Sequence, residues 1–174
     1  MLDAPLVAMV ATPDDIEALH AHVERAYRGD EARAGWTHEA DLLDGQRTSR
    51  EALAEIIADP RERIVLLKRD GDIAGCVQVA DRGGGVAYLG LLAVDPRAQA
   101  GGLGRRLIAE AERLAVEAYG ATTMEMTVIS RRSELIAYYV RRGYAPTGEI
   151  RPFPIEVSPP LELAVLSKPI GRAG

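Results

Sequence analysis

The sequence has little of what usually staples a small fold or marks a special environment. Cys76 is the single cysteine in 174 residues, so no intrachain disulfide forms, which fits a reducing compartment. Aromatic residues make up 5%, with one tryptophan and one phenylalanine. Of the three histidines, His20 and His22 stand two apart and point to different sides of a helix, and His38 is isolated. No metal site is expected from that pattern. No run approaches the roughly 20 apolar residues that cross a bilayer. The apolar start, residues 1–11, carries Asp3 and Pro5 and no basic leader, so it reads as a strand, with no membrane partner and a cytoplasmic location expected. A basic excess is also missing: 21 Lys+Arg stand against 26 Asp+Glu, a formal charge of −5. That argues against nucleic acid as a partner.

What remains is a chain of ordinary globular composition, 47% hydrophobic and 27% charged. Its length corresponds to one domain, residues 1–174, that buries about 70% of its unfolded surface. Residues 6–10 read as a strand. Thr12-Pro13-Asp14-Asp15 supplies a cap, a first-turn proline and acids at a helix start. Ile16, Leu19, Val23 and Tyr27 share one face of that helix. Residues 28–47 are the least regular stretch. Thr48-Ser49-Arg50-Glu51 resembles a capping box before a second helix bearing Leu53, Ile56 and Ile57. Residues 64–68 and 73–80 flank Asp70-Gly71 as a hairpin, and residues 81–85 form a further glycine-rich turn. A strand over 86–94 is followed by a helix bearing Leu103, Leu107, Ala111, Leu114 and Ala118, then a strand over 122–129. Ser133 caps a helix with Leu135, Ile136, Tyr139 and Val140. Residues 144–150 and 161–166 close the chain as strands around a proline-rich loop. The order β-α-α-β-β-β-α-β-α-β-β implies an α/β sheet covered by helices.

The most informative stretch runs from Val94 to Arg106. A strand ends, a glycine-rich turn follows, and an amphipathic helix begins. The first helical N–H groups lack internal partners, and the helix dipole adds positive charge, so such a turn receives anions. Gly101, Gly102 and Gly104 keep Cβ atoms out of the way, and Arg97, Arg105 and Arg106 add charge. The segment lacks the Gly-Lys-Ser/Thr of a P-loop and the third glycine of a dinucleotide fingerprint. A plain helix-start turn with no ligand is the alternative.

With Gln99, Gly102 and Gly104 in this turn, the lead-in Leu92-Ala93-Val94-Asp95-Pro96, and Tyr138-Tyr139-Val140-Arg141-Arg142-Gly143-Tyr144 about 35 residues on, the chain resembles the GNAT acyltransferase superfamily over about residues 5–168. The resemblance implies a single GNAT-like domain: a mixed, strongly twisted sheet of about six or seven strands flanked by about four helices, with a central splayed parallel strand pair. It implies acetyl-coenzyme A as cosubstrate, no metal, direct transfer to a primary amine in a ternary complex, and a possible homodimer. The cofactor residues it implies are Leu92, Ala93, Val94, Gln99, Ala100, Gly101, Gly102, Leu103, Gly104, Arg105 and Tyr139. Gly101 stands where the family often has a basic residue, a contact that Arg97, Arg105 or Arg106 can replace. The Leu92 N–H would polarise the thioester carbonyl, and Gly90 would mark the bulge that opens the cleft.

Catalytic roles fall on Tyr139, Tyr88 and Leu92. Tyr139 is either the acid beside the sulfur or a ring packed beneath the coenzyme, whereas Tyr138 is expected in the core. Tyr88 occupies a position where many relatives carry glutamate. A tyrosine is a poor base near neutral pH, so Tyr88 orders a water, shapes the pocket or is a plain strand residue. Strand alternation puts Glu125 and Thr127 on the polar face and Met124 and Met126 on the other. Glu125, on the partner strand, is a substrate contact, a structural residue or the base in place of Tyr88. Trp36, Glu39 and Phe153 complete the acceptor candidates; Trp36 is either a plug or a pocket wall, and Phe153 sits in a stiff Arg-Pro-Phe-Pro loop. Acids at Glu31, Glu39 and Asp41 suit an ammonium, and Arg33, Arg47 and Arg50 suit a carboxylate, so the acceptor's charge stays open. A small-molecule amine is favoured. A protein N-terminus or lysine is the rival acceptor, and a non-catalytic coenzyme A-binding domain is the rival from another class. Cys76, set among Ala74, Val77 and Val79, is expected in the core.

Overall fold

A computed structural model describes residues 5–34 (27–34 as backbone), 49–95, 102–153, 158 and 160–171. The candidates Trp36, Glu39, Gln99, Ala100 and Gly101 lie outside these residues. The elements are β1 (Val7–Val10), a 3₁₀ turn (Pro13–Asp15) leading into α1 (Ile16–Ala34), α2 (Arg50–Ala58), β2 (Glu62–Arg69), β3 (Asp72–Gly83), β4 (Val86–Val94), α3 (Leu103–Tyr119), β5 (Thr123–Ile129), α4 (Ser133–Arg141), β6 (Ala145–Pro152) and β7 (Glu162–Pro169). They form one seven-stranded sheet in the order β1-β2-β3-β4-β5-β7-β6. Each neighbouring pair is antiparallel except β4 and β5, which are parallel. This is the mixed α/β architecture expected from the sequence, with its central parallel pair.

Two apolar layers hold the helices to the sheet. On one face Leu107, Ala111 and Ala115 of α3 and Tyr139 of α4 pack with Val77, Val79, Met124 and Met126. On the other, Leu19 and Val23 of α1 and Leu53 of α2 pack on Ile64, Leu66 and Cys76. Fully burying one leucine contributes about 1.5–3 kcal/mol. This second layer contains no residue of β5, β6 or β7 among the described residues. At that end β5 presents Glu125 and Thr127, beside its own apolar Ile129 and Val165 of β7.

Several boundaries differ from those read in the sequence. Helix α1 runs on to Ala34, past the expected end near Tyr27, through Glu31, Ala32 and Arg33, which are good helix formers. Strand β3 continues through Gly83 with a register shift after Asp81, so part of the expected turn is strand. Ser133 is the first helical residue and Arg132 holds the cap position. Arg151 and Pro152 end β6 rather than opening a loop. Ser49 does cap α2, its Oγ accepting the Ala52 N–H at 3.1 Å.

Candidate active site

Strands β4 and β5 pair only at Val86/Thr123, Ala87/Met124 and Tyr88/Glu125. Beyond that point β4 stays on β3 as far as Val94, and β5 stays on β7 as far as Ile129. The parting coincides with a bulge. Cys76 pairs with Ala93 and Gln78 with Gly90, so β4 spends one more residue than β3 over the same interval. Leu91 takes up the excess at φ +49°, a left-handed conformation that costs a non-glycine residue about 1–2 kcal/mol. Gly90, the expected marker, is not the strained residue. A Cβ there would lie 3.1 Å from Cε2 of Tyr88, so Gly90 makes room for that ring.

The register also decides which main-chain groups are left over. The Asp95 N–H donates to the Ala74 carbonyl at 2.9 Å, and Ala93 faces Cys76 two residues earlier. Those peptide groups serve β3, so the N–H and C=O groups of Leu92 and Val94 turn to the opposite edge. That edge faces the space from which β5 has departed. A cleft of about 530 Å³ fills it, lined by β4 from Tyr88 to Val94, by Met126 and Thr127 of β5, by Gly104, and by Tyr138 and Tyr139.

At one end of the cleft stands the start of α3. Gly102 caps it at φ +74° with no side-chain cap bond, and the first turn holds no acid. The first helical hydrogen bond from this turn is Arg106 N–H to Gly102 C=O, 3.1 Å. The N–H groups of Leu103, Gly104 and Arg105 thus have no partner within the helix. The Arg105 guanidinium folds back to within 3.7 Å of where a Cβ on Gly102 would stand. Amides outside the helix ladder, the dipole and a cation meet at one point, the arrangement that receives phosphate oxygens.

Helix α4 forms the opposite wall. Tyr139 is buried, its ring edge-on to Tyr138 at 5.4 Å and to Tyr144 at 6.3 Å. Tyr138, expected in the core, packs against it half-buried and also lines the cleft, with the Arg142 guanidinium 4.8 Å above its ring. Tyr144 is the core aromatic of this helix end. Its hydroxyl donates to Glu112 at 2.9 Å, and Lys168 binds the same carboxylate at 3.0 Å. Burial first, and then the Glu112 charge, push the Tyr144 hydroxyl far above the usual tyrosine range.

The polar face beside the cleft is built around Tyr88. Its hydroxyl meets the Thr127 hydroxyl at 2.8 Å, and the Arg82 guanidinium lies 4.6 Å from its ring centre. Glu125 accepts a hydrogen bond from Arg151 at 3.0 Å, and Arg151 also binds Glu149 at 2.7 Å. Those two carboxylates raise the Arg151 guanidinium, Glu149 contributing most. Phe153 is half-buried just past β6 and is not among the cleft-lining residues. Leu92, Ala93, Val94, Gly104, Tyr88 and Tyr139 therefore meet at one cleft, with Gly102, Leu103 and Arg105 at its helix end, whereas Glu125 and Phe153 lie beside it.

One residue of this site escaped the sequence reading. His22 is fully buried, and its Nε2 lies 3.0 Å from the Ala93 carbonyl. Its signal was its spacing: Leu19, His22, Val23 and Ala26 follow one another on the buried stripe of α1. Burial pushes its pKa below the usual histidine value, with the nearby Arg25 charge acting in the same direction. Cys76 is buried as expected, and burial lifts its thiol to about 12, which leaves it inert as a nucleophile.

The model of the acetyltransferase (GNAT) family matches residues 17–144. A curated protein of Azospirillum brasilense, an IAA acetyltransferase, is 30% identical over 100 residues, which are 57% of this chain and 65% of that protein. The match thus spans less than two thirds of that relative's length. The ribosomal-protein-S18-alanine N-acetyltransferase from Escherichia coli superposes with a TM-score of 0.74 at 21% identity, over 98% of this chain and 97% of its own. The PaiA N-acetyltransferase from Thermoplasma acidophilum, in complex with coenzyme A, gives 0.73 at 17% identity over 95% and 99%. These structural likenesses concern the fold. No described helix is long and apolar enough to cross a membrane.

Proposed function

The chain belongs to the acetyltransferase (GNAT) family, and we propose that it transfers an acetyl group from acetyl-coenzyme A to the primary amine of a small molecule. The observation that carries the reading is the parting of β4 from β5 after Tyr88 and Glu125, beside the first amides of α3, which have no partner within the helix. The residues fit the coenzyme. The Leu103, Gly104 and Arg105 amides and the Arg105 guanidinium suit a pyrophosphate, and the freed edge at Leu92 and Val94 suits the amides of a pantetheine arm.

When bound, acetyl-coenzyme A supplies the activated thioester. The chain's own residues then have separate tasks. The Leu92 N–H polarises the acyl oxygen, a contact worth about 3 kcal/mol in transition states of this kind. Tyr139 holds a proton on Oη for the departing sulfur. The Tyr88 and Thr127 hydroxyls, 2.8 Å apart, orient the acceptor amine at the mouth of the cleft. Glu125, Arg82 and Arg151 give the adjoining sheet face both signs of charge, which suits a compact polar acceptor.

Thermal unfolding with and without acetyl-coenzyme A tests the reading. At 100 times Kd a ligand adds about 2.7 kcal/mol, roughly 5–10 °C for this chain length. Arg105→Glu should fold, since an acid in the first turn suits a helix, yet show a smaller shift. A thiol-release assay over small amines and peptide amines then separates the two acceptor classes. A wild type with no shift at millimolar ligand sinks the proposal.

A further inference from the structure

Two buried side chains hold the bulge of β4 from beneath. The Ala93 carbonyl can only accept, so the proton of the His22–Ala93 contact sits on Nε2, which donates over 3.0 Å. That tautomer leaves Nδ1 bare, and it is buried with no hydrogen-bond partner among the described residues. Leaving a buried polar atom unpaired is unfavourable, so an apolar side chain would suit this spot better if packing were its only task. Two residues earlier, the Cys76 thiol reaches the Leu91 carbonyl at 3.6 Å. The two tethered carbonyls flank Leu92: that of Leu91, the residue at positive φ, belongs to the peptide that carries the Leu92 N–H, and that of Ala93 lies just beyond.

We propose that His22 and Cys76 are positioning residues: Cys76 holds the peptide that carries the Leu92 N–H, His22 holds the main chain just beyond Leu92, and together they fix the aim of that N–H into the cleft. The proposal rests on the reading in which that N–H polarises the acyl carbonyl. His22 touches neither substrate nor coenzyme and acts only through the Ala93 carbonyl. Losing an oxyanion donor outright slows catalysis by about 10²–10³, so the aim of the donor matters as much as its presence.

The test reads polarisation directly, by isotope-edited infrared spectroscopy of carbonyl-labelled acetyl-coenzyme A bound to wild type, His22→Gln and His22→Met. Glutamine and methionine have nearly the same shape, but only glutamine offers an N–H near the place of Nε2. In wild type the bound carbonyl stretch should fall below that of free acetyl-coenzyme A. His22→Gln should keep most of that fall and His22→Met should lose most of it, while the Kd for coenzyme A stays within about threefold in all three, less than 1 kcal/mol. Cys76→Ala, a smaller deletion, should lose part of the fall and serves where His22→Met does not fold. An unchanged stretch in both His22→Met and Cys76→Ala overturns the clamp, as does a coenzyme A affinity that collapses in parallel with the stretch. A wild type that binds without any fall removes the Leu92 donor, and the clamp with it, while leaving the coenzyme site intact. A wild type that binds no acetyl-coenzyme A removes the transferase reading itself.

Discussion

The hydroxyl of Tyr138 lies 2.6 Å from where a Cβ on Gly104 would stand, and Cζ of the same ring lies 3.7 Å away. The ring is held between Tyr139 and Arg142, so it is not free to step aside. In a helix, alanine normally beats glycine by up to about 1 kcal/mol. Here Gly104→Ala should lose that gain to the clash, and Tyr138→Phe, which removes only the clashing oxygen, should restore it. A double-mutant cycle by urea denaturation reads the coupling. A Gly104→Ala gain that is the same in both backgrounds would show that the two residues do not meet.

Leu91 offers a test in which the usual ranking of residues inverts. In an ordinary strand, glycine is less stable than alanine. At φ +49° alanine keeps the left-handed penalty of about 1–2 kcal/mol, and glycine escapes it. Both replacements lose the same partly buried leucine side chain. Leu91→Gly should therefore be more stable than Leu91→Ala by about 1 kcal/mol, measured by chemical denaturation. The reverse order would mean that the bulge is not where the register places it.

That bulge also marks the limit of what could be read in advance. The glycine turn and the alternation of Met124, Glu125, Met126 and Thr127 were legible because each follows a local rule, a helix start in one case and a period of two in the other. The left-handed Leu91 follows none: leucine has no preference for that conformation, and the bulge exists because β3 and β4 must stay paired on both sides of it. Gly90 drew attention because glycine is the usual marker. Tyr138 packs on the core and lines the cleft at once, and an aromatic on an amphipathic helix looks the same for either. The extension of α1 to Ala34 was hidden because Gly29 and the charged residues after it carry no apolar stripe.

Tyr139 can be separated into a proton donor and a packing ring. Tyr139→Phe keeps the edge-on contacts with Tyr138 and Tyr144 and removes one oxygen. If Oη delivers a proton, kcat should fall by about 10²-fold or more while the Kd for acetyl-coenzyme A hardly moves. A weakened Kd with an unchanged kcat would assign the ring to binding alone.

His22 gives stability a pH dependence of known sign. Burial lowers its pKa in the fold, so the native state keeps the ring neutral where the unfolded chain, at the ordinary value near 6.5, begins to bind a proton. Stability therefore holds above about pH 6.5 and falls as the pH drops from there towards the folded pKa, by up to 1.4 kcal/mol per unit. The hydrogen bond to Ala93 and the Asp95 charge oppose this shift and the Arg25 charge adds to it, each more weakly than burial. Other groups contribute over the same range, so the informative quantity is the difference between wild type and His22→Gln. Measured by urea denaturation from pH 7.5 to 5, that difference should shift steadily against wild type as the pH falls. A constant difference would mean that His22 is protonated as readily in the fold as out of it, which its burial beneath Ala93 does not permit.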